Sequence, residues 1–446
     1  MLKVCIIGTG YVGLVTGTCF AEIGHHVVCV DTDPDKIARL KQGDIPIFEP
    51  GLSELVLKNV AEGRLSFSVD ISEVAQRTND FYFLAVGTPM RDEDGAADLS
   101  YVYRATEDAA IAIKQADNAG TQYPVFVTKS TVPVGTSKAI ATLVGKHLPD
   151  DRFAVASNPE FLREGNAVKD FMEPDRIVVG SRSERARTLL EELYRPLTRS
   201  GRPLVVTSTV ETAELIKYAA NAFLATKVTF INELSRLCEK VGANVQELAL
   251  GIGLDPRIGN QFLNAGPGYG GSCFPKDTRA LVKTANDNDS PIEIVEAVVR
   301  ANDRHKNAMV EKIRHALGGS LAGKKIAVLG LAFKANTDDM RDAPALTIVP
   351  ALKAYGAEIR AYDPVAEEQA RKFLPDIAYA GTIEDLVEDA DAVVILTEWA
   401  EFRMLNWALY TQKMASPVII DLRNIYSNAQ AKSMGVVYVP LGRPVD

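Results

Sequence analysis

One thiol in this chain has a setting suited to reactivity. Cys273 closes the run Gly266-Pro267-Gly268-Tyr269-Gly270-Gly271-Ser272-Cys273 and is followed by Phe274-Pro275-Lys276-Asp277. Proline belongs in the first turn of a helix, so the spacing predicts a helix opening at Cys273. The positive end of that helix, with Lys276 close by, favours the thiolate, and a thiolate can act as a nucleophile. Asp277 falls one turn further on, where it can orient or deprotonate a water or simply complement the helix dipole. Lys217 and Asn221 stand four apart on another predicted helix and share a face, either as an oxyanion-stabilising pair or as a solvated surface. Asn158-Pro159-Glu160-Phe161-Leu162-Arg163-Glu164 follows a predicted strand and offers two carboxylates, as proton-transfer groups or as surface loop acids.

A second constellation suits a dinucleotide. Gly8-Thr9-Gly10-Tyr11-Val12-Gly13 lies between an apolar strand at residues 3 to 7 and an apolar helical segment from Leu14 to Ile23, and Asp31 ends the next strand 18 residues after Gly13. Gly8 permits the tight turn, Gly10 a close approach to pyrophosphate and Gly13 close helix packing, while the helix start attracts negative charge. A carboxylate at Asp31 accepts hydrogen bonds from a ribose and repels a 2′-phosphate, which favours NAD over NADP. Thr88 and Thr131 follow strands whose carboxyl ends should border the cofactor crevice, although polar turn residues occupy such places in many proteins.

These residues need elements to hold them. Apolar bursts at Phe81–Val86, Val125–Lys129, Phe153–Ala156 and Arg176–Val179 alternate with helical stretches, which predicts a doubly wound parallel sheet over residues 1–200. Thr212–Lys240 has few breakers and apolar residues at helical spacing, so a long connecting helix should open a helical block at 201–316. From Leu321 the strand-to-glycine opening returns in Lys325–Leu331, and further strands at Ala357–Asp363, Ala392–Leu396 and Val418–Asp421 predict a second sheet over 317–446. The expected class is α/β: two Rossmann-like doubly wound parallel sheets joined by a central long helix and helical block. Gly330-Leu331-Ala332-Phe333-Lys334 lacks a full GxGxxG and is not read as a second NAD site.

Composition narrows the field. With 446 residues, 47% of them apolar and 24% charged, the chain has the balance of a folded globular protein of about three domains. A net charge of −9 with no Lys/Arg block argues against nucleic acid. No apolar run nears the roughly 18 residues of a membrane span, and the first residues do not resemble a signal peptide, so the expected location is cytoplasmic. The five cysteines show no CxxC or Cys/His spacing, which argues against disulfides and against a metal site. Cys5, Cys19 and Cys29 read as inert buried thiols.

Together these residues resemble the UDP-glucose/GDP-mannose dehydrogenase family over nearly the whole chain, through Gly8–Gly13, Ser130–Thr136, Asn158–Gly165, Lys217–Asn221, Gly270–Asp277 and Gly330–Lys334. The resemblance implies a four-electron oxidation in which the C6 alcohol of UDP-glucose becomes a carboxylate while two NAD are reduced. By the same resemblance Cys273 traps the intermediate aldehyde as a thiohemiacetal that is oxidised to a thioester. Lys217 and Asn221 then hold the oxyanion, Asp277 assists base chemistry, and Glu160 works with Thr131 and a water. Tyr11, Val12, Lys36, Thr88, Thr131, Glu164 and Arg341 are implied along the cofactor. Glu160, Phe161, Leu162, Arg163, Lys217, Asn221, Arg257, Phe262, Leu263, Asn264, Gly268, Tyr269, Gly270, Phe333, Lys334 and Arg423 are implied around the substrate. The residue matching Arg257 reaches across a dimer interface in the family, which implies a homodimer. Asn264 stands where animal relatives carry lysine. GDP-mannose and UDP-N-acetylhexosamines are the alternative substrates, a two-electron hydroxyacid dehydrogenase is the next reading, and a silent nucleotide-sugar sensor is the reading from another class.

Overall fold

Four consecutive residues of the first strand, β1 (Lys3–Ile7), are buried, as expected of a strand covered on both faces. The computed structural model describes residues 1–89, 91, 97–117 and 122–444. They form two units, Met1–Ala220 and Asn221–Asp446, whose boundary falls inside the 32-residue helix Val210–Val241.

In the first unit β1 is joined by β2 (His26–Val30), β3 (Leu65–Ser68), β4 (Phe81–Leu84), β5 (Val125–Thr128), β6 (Ala154–Ser157), β7 (Ile177–Ser181) and β8 (Leu204–Thr207). Their order is β3-β2-β1-β4-β5-β6-β7-β8. Register places Ile7 beside both Val30 and Leu84, so β1, β2 and β4 end level where the strand order reverses. Ligands of doubly wound sheets bind at such a switch point. Alternate residues enter opposite cores, Val4 and Ile6 on one face and Cys5 and Ile7 on the other. One pair departs from the parallel pattern: β7 runs antiparallel to β6, with Ala156 opposite Ser181. The loop between them carries only the six-residue helix Ala167–Met172, which brings the chain back along the neighbouring edge.

The second unit has a sheet of β9 (Lys325–Leu329), β10 (Glu358–Tyr362), β11 (Ala378–Tyr379), β12 (Ala392–Ile395), β13 (Val418–Asp421) and β14 (Val437–Pro440). Its order is β11-β10-β9-β12-β13-β14, and every pair is parallel. Ile326 and Val328 fill one core while Ala327 and Leu329 fill the other. The helical block shares the first of these: Ile231, Met309 and Ile313 pack in one cluster with Ile326 and Val328. The buried stripe of the helix Glu293–Ala316 runs from Val295 and Val298 to Val310 and Ile313, and it includes Asn302, His305 and Lys306. Polar groups on such a stripe need partners: those of Asn302 and His305 lie in the loop that carries Cys273, and Lys306 donates to the Asp342 carbonyl at 3.2 Å. Among the described residues no helix is long and apolar enough to cross a membrane.

Candidate active site

The turn after β1 is shaped by what its glycines must avoid. Gly8 has φ +103°, and a Cβ there would lie 2.6 Å from the Ala85 carbonyl oxygen; a Cβ on Gly13 would lie 1.9 Å from that of Gly8. Gly10 faces open space within 4 Å, which leaves room for a phosphate against the backbone. The helix Tyr11–Glu22 begins immediately after it, so unpaired N–H groups point into that space. Asp31, at the end of β2, accepts from the Thr9 N–H at 2.8 Å and the Thr9 hydroxyl at 2.7 Å, and pairs with Lys36 at 3.0 Å. Burial works against its charge, but these bonds outweigh it and hold the carboxyl below its ordinary value. The residues present therefore fit a dinucleotide whose ribose meets a carboxylate. At the ends of β4 and β5 the Thr88 hydroxyl donates to the Thr131 carbonyl at 3.1 Å, bringing those two loops together.

Past β6, Glu160 is buried and forms an ion pair with Lys217 at 2.9 Å, while its other oxygen accepts the Leu162 N–H at 2.6 Å. Burial raises its pKa, yet the Lys217 charge, with help from Lys129, holds it below the ordinary carboxylate range. The Phe161 ring carries the Arg176 guanidinium at 3.6 Å and faces the Lys217 ammonium at 5.4 Å. Arg163 is bound by Asp170, through Nε at 3.0 Å and Nη2 at 2.6 Å. Beneath this loop Lys129 donates to the side-chain Oδ1 of Asn158 at 3.0 Å, and burial lowers its pKa to about 8.

In the second unit Cys273 caps the helix Phe274–Asp287, with Pro275 in the first turn, as the motif predicts. The residue is half-buried, with its sulfur 3.6 Å from the Ser272 hydroxyl. Cys5, Cys19, Cys29 and Cys238 are buried, and burial pushes all four thiols up. The Asp277 N–H donates to the Cys273 carbonyl at 2.8 Å. The fully buried Asp277 carboxylate accepts from Asn221 Nδ2 at 2.6 Å and pairs with Lys276 at 2.6 Å. The Lys276 ammonium is thus held by Asp277.

The preceding loop is fixed by the buried polar residues of the helical block. Asn302 accepts from the Tyr269 N–H at 2.9 Å, His305 bonds the Gly266 carbonyl at 2.8 Å and Asn232 accepts the Gly266 N–H at 2.9 Å. A Cβ on Gly270 would lie 2.4 Å from the Asp342 carbonyl oxygen, so the loop lies directly on the segment after β9. Leu263 and Tyr269 are buried, Asn264 is exposed, and the Phe262 and Tyr269 rings each meet Phe274 at 6.0 Å. Lys334 lies over the Phe333 ring at 5.4 Å. Arg423 donates to the carbonyls of Phe333 and Leu396, each at 2.8 Å. Arg341 is bound by Asp339 at 2.8 Å, and Arg257 pairs with Asp255 at 2.6 Å with its side chain almost fully exposed.

The glycine turn after β9 differs from the first in two ways. No helix follows Gly330 until Ala345. Asp363, at the end of β10, already accepts the Val365 and Ala366 N–H groups on one oxygen and the Leu331 and Ala332 N–H groups and the Trp399 indole on the other, whereas among the described residues Oδ1 of Asp31 accepts only the Asp33 N–H at 3.1 Å.

Residues 2–198 match the NAD binding domain of the UDP-glucose/GDP-mannose dehydrogenase family, 211–304 its central domain and 327–428 its UDP binding domain. The chain belongs to that family. It is 54% identical to a UDP-glucose 6-dehydrogenase of Rhizobium meliloti, covering 99% of this chain and 100% of that one. It is 48% identical to the UDP-glucose 6-dehydrogenase YwqF of Bacillus subtilis, covering 99% and 98%. A solved UDP-glucose dehydrogenase from Pyrobaculum islandicum is similar with a TM-score of 0.91 and 37% identity, covering 100% and 98%. A UDP-D-ManNAc dehydrogenase from Pyrococcus horikoshii follows at 0.84 and 28%, covering 99% of both chains. As a member of the UDP-glucose/GDP-mannose dehydrogenase family the chain is an oxidoreductase, and the coenzyme of its first unit is NAD.

Several groups around these sites escape the sequence. Lys129, Glu49, Glu214 and His305 are buried and bonded to the loops named above, yet each stands alone in its stretch of sequence. Glu214 accepts the N–H groups of Gly135 at 2.8 Å and Ser137 at 3.0 Å, which ties the Thr131 loop to the helix of Lys217. The signal that could have found it is its place three residues before Lys217 on the inward face of an amphipathic helix.

Proposed function

We propose that the enzyme oxidises UDP-glucose at C6 to UDP-glucuronate in two steps through a covalent Cys273 adduct. The observation that carries this reading is Cys273 itself, half-buried at the start of a 14-residue helix in a chain similar along its whole length to UDP-glucose 6-dehydrogenases. NAD, when bound along Gly8–Gly13, Asp31, Lys36, Thr88, Glu164 and Arg341, supplies the hydride acceptor for both oxidations.

The chain's own residues account for the rest. Glu160, ionised through Lys217, takes the proton of the C6 hydroxyl through a water held with Thr131 as the alcohol becomes an aldehyde. The Cys273 sulfur adds to the aldehyde carbon, forming a C–S bond and moving the carbonyl electrons onto oxygen. Lys217 and Asn221 stabilise that oxyanion. Loss of the second hydride leaves a thioester; water, oriented by Asp277, adds to its carbonyl, and the C–S bond breaks to release carboxylate and thiolate. Phe161, Leu162, Arg163, Phe262–Gly270, Phe333, Lys334 and Arg423 hold the nucleotide sugar. In this scheme 1–200 serves the coenzyme, 317–446 the uridine nucleotide and 201–316 assembly. An enzyme fed by NAD and a nucleotide sugar works in the cytoplasm, and five cysteines none of which forms a disulfide suit a reducing compartment.

The test is NADH formation with UDP-glucose, GDP-mannose and UDP-N-acetylmannosamine compared by kcat/KM. UDP-glucose should lead by about 100-fold or more, since a site built around one set of hydroxyls leaves polar groups unpaired with another sugar. Equal values, or a lead by another sugar, would contradict the assignment.

We also assign a homodimer. Phe223, Phe230, Leu237 and Val241 stand at coiled-coil-like spacing on the long helix, Leu250 and Leu254 follow in sequence, and each is more than half exposed. A self-complementary apolar stripe is what a two-fold pair buries. Phe230→Glu with Leu237→Glu should halve the sedimenting mass. Because Arg257 is assigned to the partner's site, activity should fall about tenfold or more with it. A wild-type chain that sediments as a monomer while fully active would refute the assignment.

A further inference from the structure

We infer that Glu49 is a positioning residue that couples the coenzyme turn to the Asn158–Gly165 loop through Tyr11, an inference that rests on the reading of that loop given above. Glu49 is 7% exposed and far in sequence from both segments. Its Oε2 accepts the Gly165 N–H at 2.8 Å and the Tyr11 hydroxyl proton, and its Oε1 accepts the Ala167 N–H at 2.7 Å. The Gly165 N–H also reaches the Tyr11 hydroxyl oxygen at 3.0 Å.

Each partner has a fixed address. Tyr11 is the first residue of the helix that leaves the glycine turn, so its ring moves with the surface offered to the pyrophosphate. Gly165 ends the loop carrying Glu160, Phe161, Arg163 and Glu164, and its φ of +79° sets the bend there. Burial, reinforced by Glu49, pushes the Tyr11 hydroxyl well above its ordinary value, so it remains a donor at any working pH.

A buried carboxylate is costly unless its oxygens are satisfied. Here they are satisfied only while the loop end and the tyrosine are both docked, so the three groups form one unit. Pressure from the coenzyme on the turn is then passed to the loop, and the loop's position fixes Glu160 relative to the turn. Neither Glu49 nor Tyr11 has to take part in proton or hydride transfer to do this.

Hydrogen exchange of the peptide spanning residues 158–167, with and without NADH, tests the coupling directly and needs no sugar. NADH should slow exchange in the wild type by about fivefold or more. Tyr11→Phe removes one hydroxyl and should abolish that slowing, as should Glu49→Gln. In turnover, each variant should lower kcat about tenfold, and the double variant should lower it no further, because both act through one unit. If Tyr11→Phe keeps the wild-type protection by NADH, or if the two losses multiply, the inference is overturned. A result in which the exchange coupling holds while UDP-glucose yields no NADH would overturn the proposed substrate and leave the coupling standing.

Discussion

Cys273→Ser should lower kcat for complete oxidation by about 1,000-fold or more while leaving the fold intact. Serine is a better helix cap than cysteine, and Cys273 makes no side-chain cap bond that would be lost, so the melting temperature should hold or rise slightly. The loss is chemical. A serine hydroxyl carries almost no alkoxide near neutrality and is a far weaker nucleophile than a cysteine sulfur. The aldehyde from the first oxidation then has no tether and is released or rebound, and the second oxidation stalls. Rapid-quench product analysis checks this: the variant should show aldehyde or its hydrate in place of UDP-glucuronate. Unchanged turnover to the acid would place this chain with enzymes that need no thiol.

Lys217→Met should be the next most damaging change, because it acts on stability and chemistry together. The Lys217–Glu160 pair is buried on both sides, with 4% and 5% exposure, and removing one member strands a buried charge at a cost of about 3–5 kcal/mol. Loss of an oxyanion donor should separately lower kcat by about 100- to 1,000-fold. The pH dependence tells these effects apart. In the wild type burial raises the Glu160 pKa and Lys217 more than offsets it, so the stability from this carboxylate is present above the ordinary carboxylate range and is lost as pH falls through the depressed value. Without Lys217 burial prevails and the pKa rises, Lys129 being the weaker counter-charge. The variant should then lose stability as pH rises, and the acid limb of its residual kcat profile should move to higher pH. Thermal melts at pH 5 and pH 8 measure the first effect and a pH–rate profile the second; an unmoved acid limb would remove Glu160 from proton transfer.

Much of the fold is readable from local patterns. A strand covered on both faces is a short apolar burst, and Val4–Ile7, Phe81–Leu84 and Ala392–Ile395 are all of that kind. The strands that escape are β3, β8, β11 and β14, which lie at or near the sheet edges and are partly exposed, so their sequences carry less apolar signal. The antiparallel turn of β7 escapes too, because strand direction depends on how a loop returns and not on the burst itself.

At the site, glycine spacing and a helix-start cysteine are visible because each answers a local backbone requirement. Asn221 and Asp277 are visible as candidates, but their bond is not, since 56 residues separate them. Glu49 is hidden further: in Glu49-Pro50-Gly51 it reads as a surface turn, its backbone donors lie more than 100 residues along the chain, and Tyr11 lies 38 residues back. Sequence patterns report a residue's own backbone and face, whereas a buried carboxylate is defined by who donates to it.

The most direct measurement is the amount of NADH formed per UDP-glucose consumed when the sugar is limiting and NAD is in excess. A tethered sulfur adduct carried through both oxidations predicts two NADH for each sugar, with no free aldehyde accumulating. A yield of one NADH, with aldehyde as the product, would contradict the role given to Cys273.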